Sequence, residues 1–89
     1  MELTFNQNGN KYEAEFVATS AFNLHLERED NGYVSVYQRG TDTGEYASTE
    51  SWGNNEATKV FDVDFASLVY PKYIKVVSRS KVNRGVVTF

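Results

Sequence analysis

The chain has 89 residues, no cysteine, a formal charge of −3 and a pI near 5.0. That length sets a single domain, residues 1–89, with a thin core. The missing cysteines exclude a disulfide framework, thiolate metal ligands and a thiol nucleophile. No apolar run reaches the roughly 20 residues of a membrane helix, and no basic start with an apolar stretch precedes the first strand pattern, so the expectation is a protein without membrane contact, made in the cytoplasm.

Aromatic residues make up 15% of the chain, with six Tyr and six Phe, and runs of Ala, Leu, Glu and Lys are missing, which favours strands throughout. In chain order, Leu3 and Phe5 alternate with Glu2 and Thr4, and Tyr12, Ala14, Phe16 and Ala18 alternate with Lys11, Glu13, Glu15 and Val17. An Asn8-Gly9 turn of type I′ joins the two runs and places Phe5 opposite Tyr12, Leu3 opposite Ala14 and Met1 opposite Phe16. Thr19-Ser20-Ala21 makes a corner.

The run that organises the rest is Phe22 to Arg39. Phe22, Leu24 and Leu26 alternate with Asn23, His25 and Glu27, Asp30-Asn31-Gly32 interrupts, and Val34 and Val36 resume the alternation. These features predict a β-hairpin with a three-residue loop, Gly32 in the left-handed conformation, Leu26 facing Val36 and Arg28 facing Val34. Its polar face would then hold His25 beside Tyr33 and Tyr37, with His25 pairing across to Tyr37.

Gly40 to Gly44 is a loop by composition, and Tyr46 to Trp52 is expected as an edge strand. Trp52-Gly53-Asn54-Asn55 belongs to a second loop. Phe61, Val63 and Phe65 alternate with Asp62 and Asp64, and Ala66 to Tyr70 is a short connection ended by Pro71. Lys72 to Ser78 forms a strand with Ile74, Val76 and Ser78 on one face, and Asn83-Arg84-Gly85 turns the chain into a terminal strand, Val86 to Phe89. Seven or eight short strands with turns between them imply an all-β fold: a small antiparallel β-sandwich, jelly-roll or immunoglobulin-like, with a small barrel as the alternative.

Charge is unevenly placed. Met1 to Asp64 holds twelve acidic and four basic residues, whereas Phe65 to Phe89 holds five basic and no acidic ones. An acidic and a basic surface on one small body would attract head to tail and build oligomers. Lys72, Tyr73, Lys75 and Arg79 interleave aromatic and basic residues as nucleic-acid binders do, but the acidic balance of the whole chain argues against a polyanion. Cross-strand pairing of Lys75 or Arg79 with Glu13 or Glu15 is the plainer expectation.

Asp62 and Asp64, two residues apart on one strand face, are calcium-type ligands if Asp42 or Glu45 joins them. A half-exposed strand has the same alternation, so the expectation is no metal and no cofactor. A single histidine in no catalytic motif gives no enzyme. Trp52, Tyr46, Tyr33 and Tyr37 with Asn54, Asn55 and Gln38 would suit a glycan, stacking on sugar rings and bonding hydroxyls.

At Phe22-Asn23-Leu24-His25-Leu26-Glu27 and at Tyr70-Pro71-Lys72-Tyr73-Ile74-Lys75-Val76-Val77-Ser78 the chain resembles small β-sandwich proteins from phages and prophages of gut bacteria, which act as virion or particle accessory components. The resemblance spans most of the chain, implies a structural role with a virion as the destination, and carries over no catalytic or binding residue. The function expected is therefore a non-catalytic module that binds other protein subunits through the Tyr33, Tyr37 and His25 face or the Lys72 to Arg84 region. A carbohydrate-binding module is the alternative. The edges Tyr46 to Trp52 and Val86 to Phe89 would be open to strand addition.

Overall fold

A computed structural model describes residues 1–39, 59–66 and 72–89. They form seven strands: β1 (Asn6–Asn8), β2 (Lys11–Ala18), β3 (Phe22–Arg28), β4 (Val34–Arg39), β5 (Val60–Phe65), β6 (Lys72–Ser78) and β7 (Val82–Thr88). All pairings are antiparallel, in two sheets ordered β1-β2-β6-β4 and β5-β3-β7. The fold is a small β-sandwich, and the sheets do not close into a barrel. Tyr46 to Trp52, the loop with Asn54 and Asn55, Asp42, Glu45 and most of the Ala66 to Pro71 connection lie outside the described residues.

The alternation seen in the sequence is what buries one face of each sheet. Ala14, Phe16 and Ala18 of β2, Val34 and Val36 of β4, and Ile74 and Val76 of β6 meet Phe22, Leu24 and Leu26 of β3, Phe61 and Phe65 of β5, and Val87 of β7. The Phe22 and Phe65 rings stack at 4.9 Å and Phe16 meets Phe22 edge-on at 5.2 Å, two arrangements that aromatic quadrupoles favour.

β3 and β4 do not form the expected hairpin. β3 lies between β5 and β7 in one sheet and β4 pairs with β6 in the other, so Leu26 and Val36 enter the core from different sheets instead of sharing a ladder. A hairpin and a crossover between layers bury the same alternate residues, so periodicity does not separate them. Nor does Gly32 adopt a left-handed φ; among the described residues only Gly9 does. Gly32 is required for a different reason. A Cβ there would stand 2.5 Å from Ser80 Oγ, and the Gly32 N–H donates to that oxygen at 2.8 Å.

Around this contact the end of the sandwich is stitched with polar bonds. Arg28 takes the last inward position of β3, is 3% exposed, and donates to the carbonyls of Gly32 and Lys59. Burial holds its guanidinium below the ordinary arginine value. Ser78 Oγ donates to the Ser80 carbonyl at 2.7 Å, and the Arg79 N–H donates to the Tyr33 carbonyl at 2.9 Å.

The first hairpin forms, but in another register. Asn6 pairs with Glu13, Gln7 with Tyr12 and Asn8 with Lys11, so the central turn residues are Gly9 and Asn10. Gly9 has φ 65° and Asn10 has no positive φ, as in a type II′ turn with glycine first. Leu3 and Phe5 leave β2 altogether. The Leu3 N–H donates to the Gly85 carbonyl and the Val87 N–H to the Met1 carbonyl, both at 2.8 Å, and Glu2 bridges Val86. Residues 1–3 therefore cover the side of β7 that faces away from β3 over Gly85 to Val87, so the expected edge is closed at Val86 and Val87. Asn83-Arg84-Gly85 is not a turn either; it lies inside β7, where the register with β3 shifts at Glu27 and Arg28 as in a β-bulge.

Candidate functional site

Strand alternation sends every second side chain out of the sandwich, and the two outer faces differ in chemistry. On the β5-β3-β7 sheet, β3 presents Asn23, His25 and Glu27, β5 presents Asp62 and Asp64, and β7 presents Arg84 and Val86. Register sets Asn23 opposite Asp64, His25 opposite Asp62 and Glu27 opposite Arg84. The polar groups join into one chain. The Asn23 amide donates to Asp62 Oδ1 at 2.7 Å and to Asp64 Oδ1 at 2.9 Å; His25 Nδ1 lies 2.7 Å from Asp62 Oδ2 and Nε2 lies 3.1 Å from Glu27 Oε2. Arg84 then contacts Glu27 at 3.5 Å and Glu2 at 3.7 Å.

A neutral imidazole has one N–H, so it can donate to only one of these two carboxylates, whereas the imidazolium donates to both. The hydrogen bond to Asp62, helped by Glu27, raises the His25 pKa against the opposing effect of burial. Asp62 is held below the usual carboxylate value, first by the Asn23 amide and then by His25. Chemically this is a linked row of hydrogen-bonded groups in which His25 Nε2, the atom a general base would use, faces Glu27. The Asn23 amide sits between Asp62 and Asp64, where a bridging cation would bind. Among the described residues no three His, Asp or Glu are grouped to hold a metal ion.

The outer face of β1-β2-β6-β4 has the opposite character. Tyr37 pairs with Lys75, which pairs with Glu15, and Arg39 pairs with Tyr73, which pairs with Val17. The Arg39 guanidinium lies 5.9 Å from the Tyr73 ring centroid, a cation–π distance. Lys75 Nζ meets Glu13 at 3.5 Å, the cross-strand pairing expected of it. Tyr33 is 47% exposed, and Arg79 extends the same rung through its backbone bond to Tyr33.

Tyr33, Tyr37, Tyr73, Lys75 and Arg79 thus share one face, uniting two regions the sequence left apart. Lys72 starts β6 with the inward parity of Ile74, opposite Ala18, and stands at the rim. His25 is not with Tyr33 and Tyr37: it belongs to the other sheet and pairs with Asp62 and Val86 instead of Tyr37, because β3 and β4 part company. Trp52 lies outside the described residues, as do the Tyr46, Asn54 and Asn55 of the glycan reading.

Asn23, Glu27, Arg84 and Glu2 were not singled out as site residues. The alternation marks Asn23 and Glu27 as outward companions of His25, but bringing Arg84 and Glu2 to them requires knowing that β7 and residues 1–3 lie beside β3. The segregation of charge along the chain does not survive as two halves of the body. The basic strand β6 lies against Glu13 and Glu15 of β2, and basic β7 lies against Glu27 of β3. Among the described residues, what separates instead is sheet from sheet: Glu2, Glu27, Asp62 and Asp64 against Arg84 and His25 on one face, Lys11, Arg39, Lys75 and Arg79 against Glu13 and Glu15 on the other. No protein-family model, curated protein or solved structure matches this chain.

Proposed function

We propose that this chain is a non-catalytic interaction module that associates with further copies of itself, as one building block of a larger assembly of the phage or prophage-like kind that its sequence texture resembles. The observation that carries the proposal is the pair of opposed outer faces. One is a net acidic sheet face whose carboxylates are arrayed around His25. The other sets the phenols of Tyr33, Tyr37 and Tyr73 among Lys75, Arg39 and Arg79, the tyrosine and arginine composition that interface centres favour. Because the faces lie on opposite sides of one body, the contact between copies is heterologous, the acidic face of one meeting the phenolic face of the next, and such contacts propagate.

The non-catalytic part is supported by the state of His25, whose two ring nitrogens are both engaged by carboxylates. Light scattering after size exclusion, across protein concentration and at low and high salt, tests the proposal. The expected result is a species larger than the monomer that shrinks as salt screens the facing charges. Tyr33→Ala with Tyr37→Ala should weaken it while leaving the circular dichroism of the fold unchanged. A monomer under every condition would refute self-association, and an unaltered oligomer in the double variant would refute this choice of face.

A further inference from the structure

The segment Met1–Phe5 is attached to the rest of the molecule in an unusual way. Residues 1–3 form a short antiparallel ladder on β7, with the Met1 amino nitrogen donating to the Val87 carbonyl, Val87 donating back to Met1, and Leu3 donating to Gly85, each at 2.8 Å. Three residues later the chain is in the other sheet, since Asn6 already pairs with Glu13 of β2. Only Thr4 and Phe5 link the Leu3 ladder on β7 to Asn6 of β1, so the connection is short.

The side chains of the segment occupy a fitted seat. Leu3 and Phe5 pack against the core cluster, and the seat exists because position 85 is glycine: a Cβ there would come within 2.7 Å of Phe5 Cε1 and 3.2 Å of Leu26 Cδ2. All three residues of β1, by contrast, are exposed. If residues 1–5 leave this seat, the short link to the exposed strand β1 is the hinge about which they swing. The vacated edge of β7 then presents unpaired N–H and C=O groups above an apolar slot, a surface that the same segment of another copy fills with identical contacts.

We infer that the edge of β7 is a strand-acceptor site, filled by residues 1–5 of its own chain in the monomer and by residues 1–5 of a second copy in a strand-exchanged dimer. Exchange of an identical element creates no new contact surface and needs only a hinge, and a short hinge favours the open form. The inference rests on the self-association reading for the identity of the partner, and it adds a contact at a sheet edge to the one between the sheet faces. The exchanged contacts are backbone hydrogen bonds and apolar packing, so this dimer resists salt and persists on dilution.

The absence of native cysteine allows a direct test. Glu2 and Val86 form the pair between the hydrogen-bonded pairs Met1–Val87 and Leu3–Gly85, a non-hydrogen-bonded position where Cα atoms approach to about 4.5 Å, within disulfide range. Chains carrying Glu2→Cys alone and Val86→Cys alone are mixed, passed through mild denaturant to open the hinge, returned to buffer and oxidised with glutathione disulfide as the electron acceptor. The mixed disulfide between the two chains is expected in clear excess over both homodisulfides. A statistical mixture of the three would overturn the exchange.

A second measurement avoids substitution. In an equimolar mixture of isotope-labelled and unlabelled wild-type chains, isotope-filtered NMR should give intermolecular contacts between Leu3 and Gly85 or Val87. A dimer by light scattering that lacks these contacts overturns the exchange and leaves face-to-face association standing, whereas a monomer at every concentration overturns both.

Discussion

His25 has the most consequential surroundings of any single residue in the chain. Its two ring nitrogens meet Asp62 across the strand and Glu27 along it, while Arg84 stands behind Glu27, Glu2 behind Arg84, and Asn23 between Asp62 and Asp64. A histidine whose folded pKa is raised contributes stability that is fully present below its unfolded value of about 6.5 and is lost as pH rises through the folded value. Asp62 has the opposite sign: its depressed pKa contributes stability above the usual carboxylate value, lost as pH falls through the folded one. The pair is therefore worth most on the mildly acidic side of neutrality.

Comparing the melting temperature of wild type with that of His25→Gln from about pH 5 to about pH 8 should give a difference that shrinks as pH rises, and amounts to no more than about 1 kcal/mol for so exposed a pair. A pH-independent difference would mean that His25 acts by packing alone. Gly32 makes a sharper demand. Gly32→Ala drives a methyl into Ser80 Oγ and toward the Ser80 backbone nitrogen at 3.0 Å, so it should destabilise by about 1–3 kcal/mol. In thermal unfolding that corresponds to a loss of at least about 4 °C in a domain of this size.

Among the elements, those legible in the sequence are the ones that alternation alone defines. β2, β5 and β6 appear where the pattern put them, with Ile74, Val76 and Ser78 turned inward, because a strand buried on one face must alternate whatever its neighbours. Pairing was less legible. In the first hairpin the observed register differs from the Asn8-Gly9 expectation by two residues, and a shift of two returns every side chain to the same face. Hydrophobic pattern is blind to such a shift, and only the preference of the turn for glycine at its first central position separates the two registers.

Asn83-Arg84-Gly85 misled for a related reason: glycine there serves close packing under Phe5 inside a strand, not reversal of the chain. Gly85→Ala should accordingly unseat Phe5 and loosen the short ladder on β7 before anything else. Native-state hydrogen exchange is the measurement, with the Leu3 and Val87 amides losing protection while those in the centre of β3 keep theirs. Uniform loss across both sheets would show that residues 1–5 unfold only with the whole domain.

For the molecule as a whole, function depends on which chemistry reaches which side, and the sequence left this least determined. From β2 onward, consecutive described strands lie in alternate sheets, so His25 of β3 and Tyr37 of β4, twelve positions apart in the chain, end on opposite faces of the body. Linear charge segregation is thereby rewoven into two outer faces of contrasting composition, and this predicts more than association as such. In a head-to-tail contact each copy uses both faces once, so loss of either face stops growth, and two different losses complement each other.

A variant with Glu2→Lys and Asp64→Lys loses the acidic face, and the Tyr33→Ala, Tyr37→Ala variant loses the phenolic one. Each alone should lose the salt-sensitive association that wild type shows at the same concentration. Mixed in equal amounts they should regain one salt-sensitive contact and no further growth through the faces, because the intact acidic face of the second fits the intact phenolic face of the first and both remaining faces are dead. Analytical ultracentrifugation of the mixture distinguishes the geometries. If the phenolic face instead paired with itself about a twofold axis, the acidic-face variant would still dimerise alone and the mixture would gain nothing.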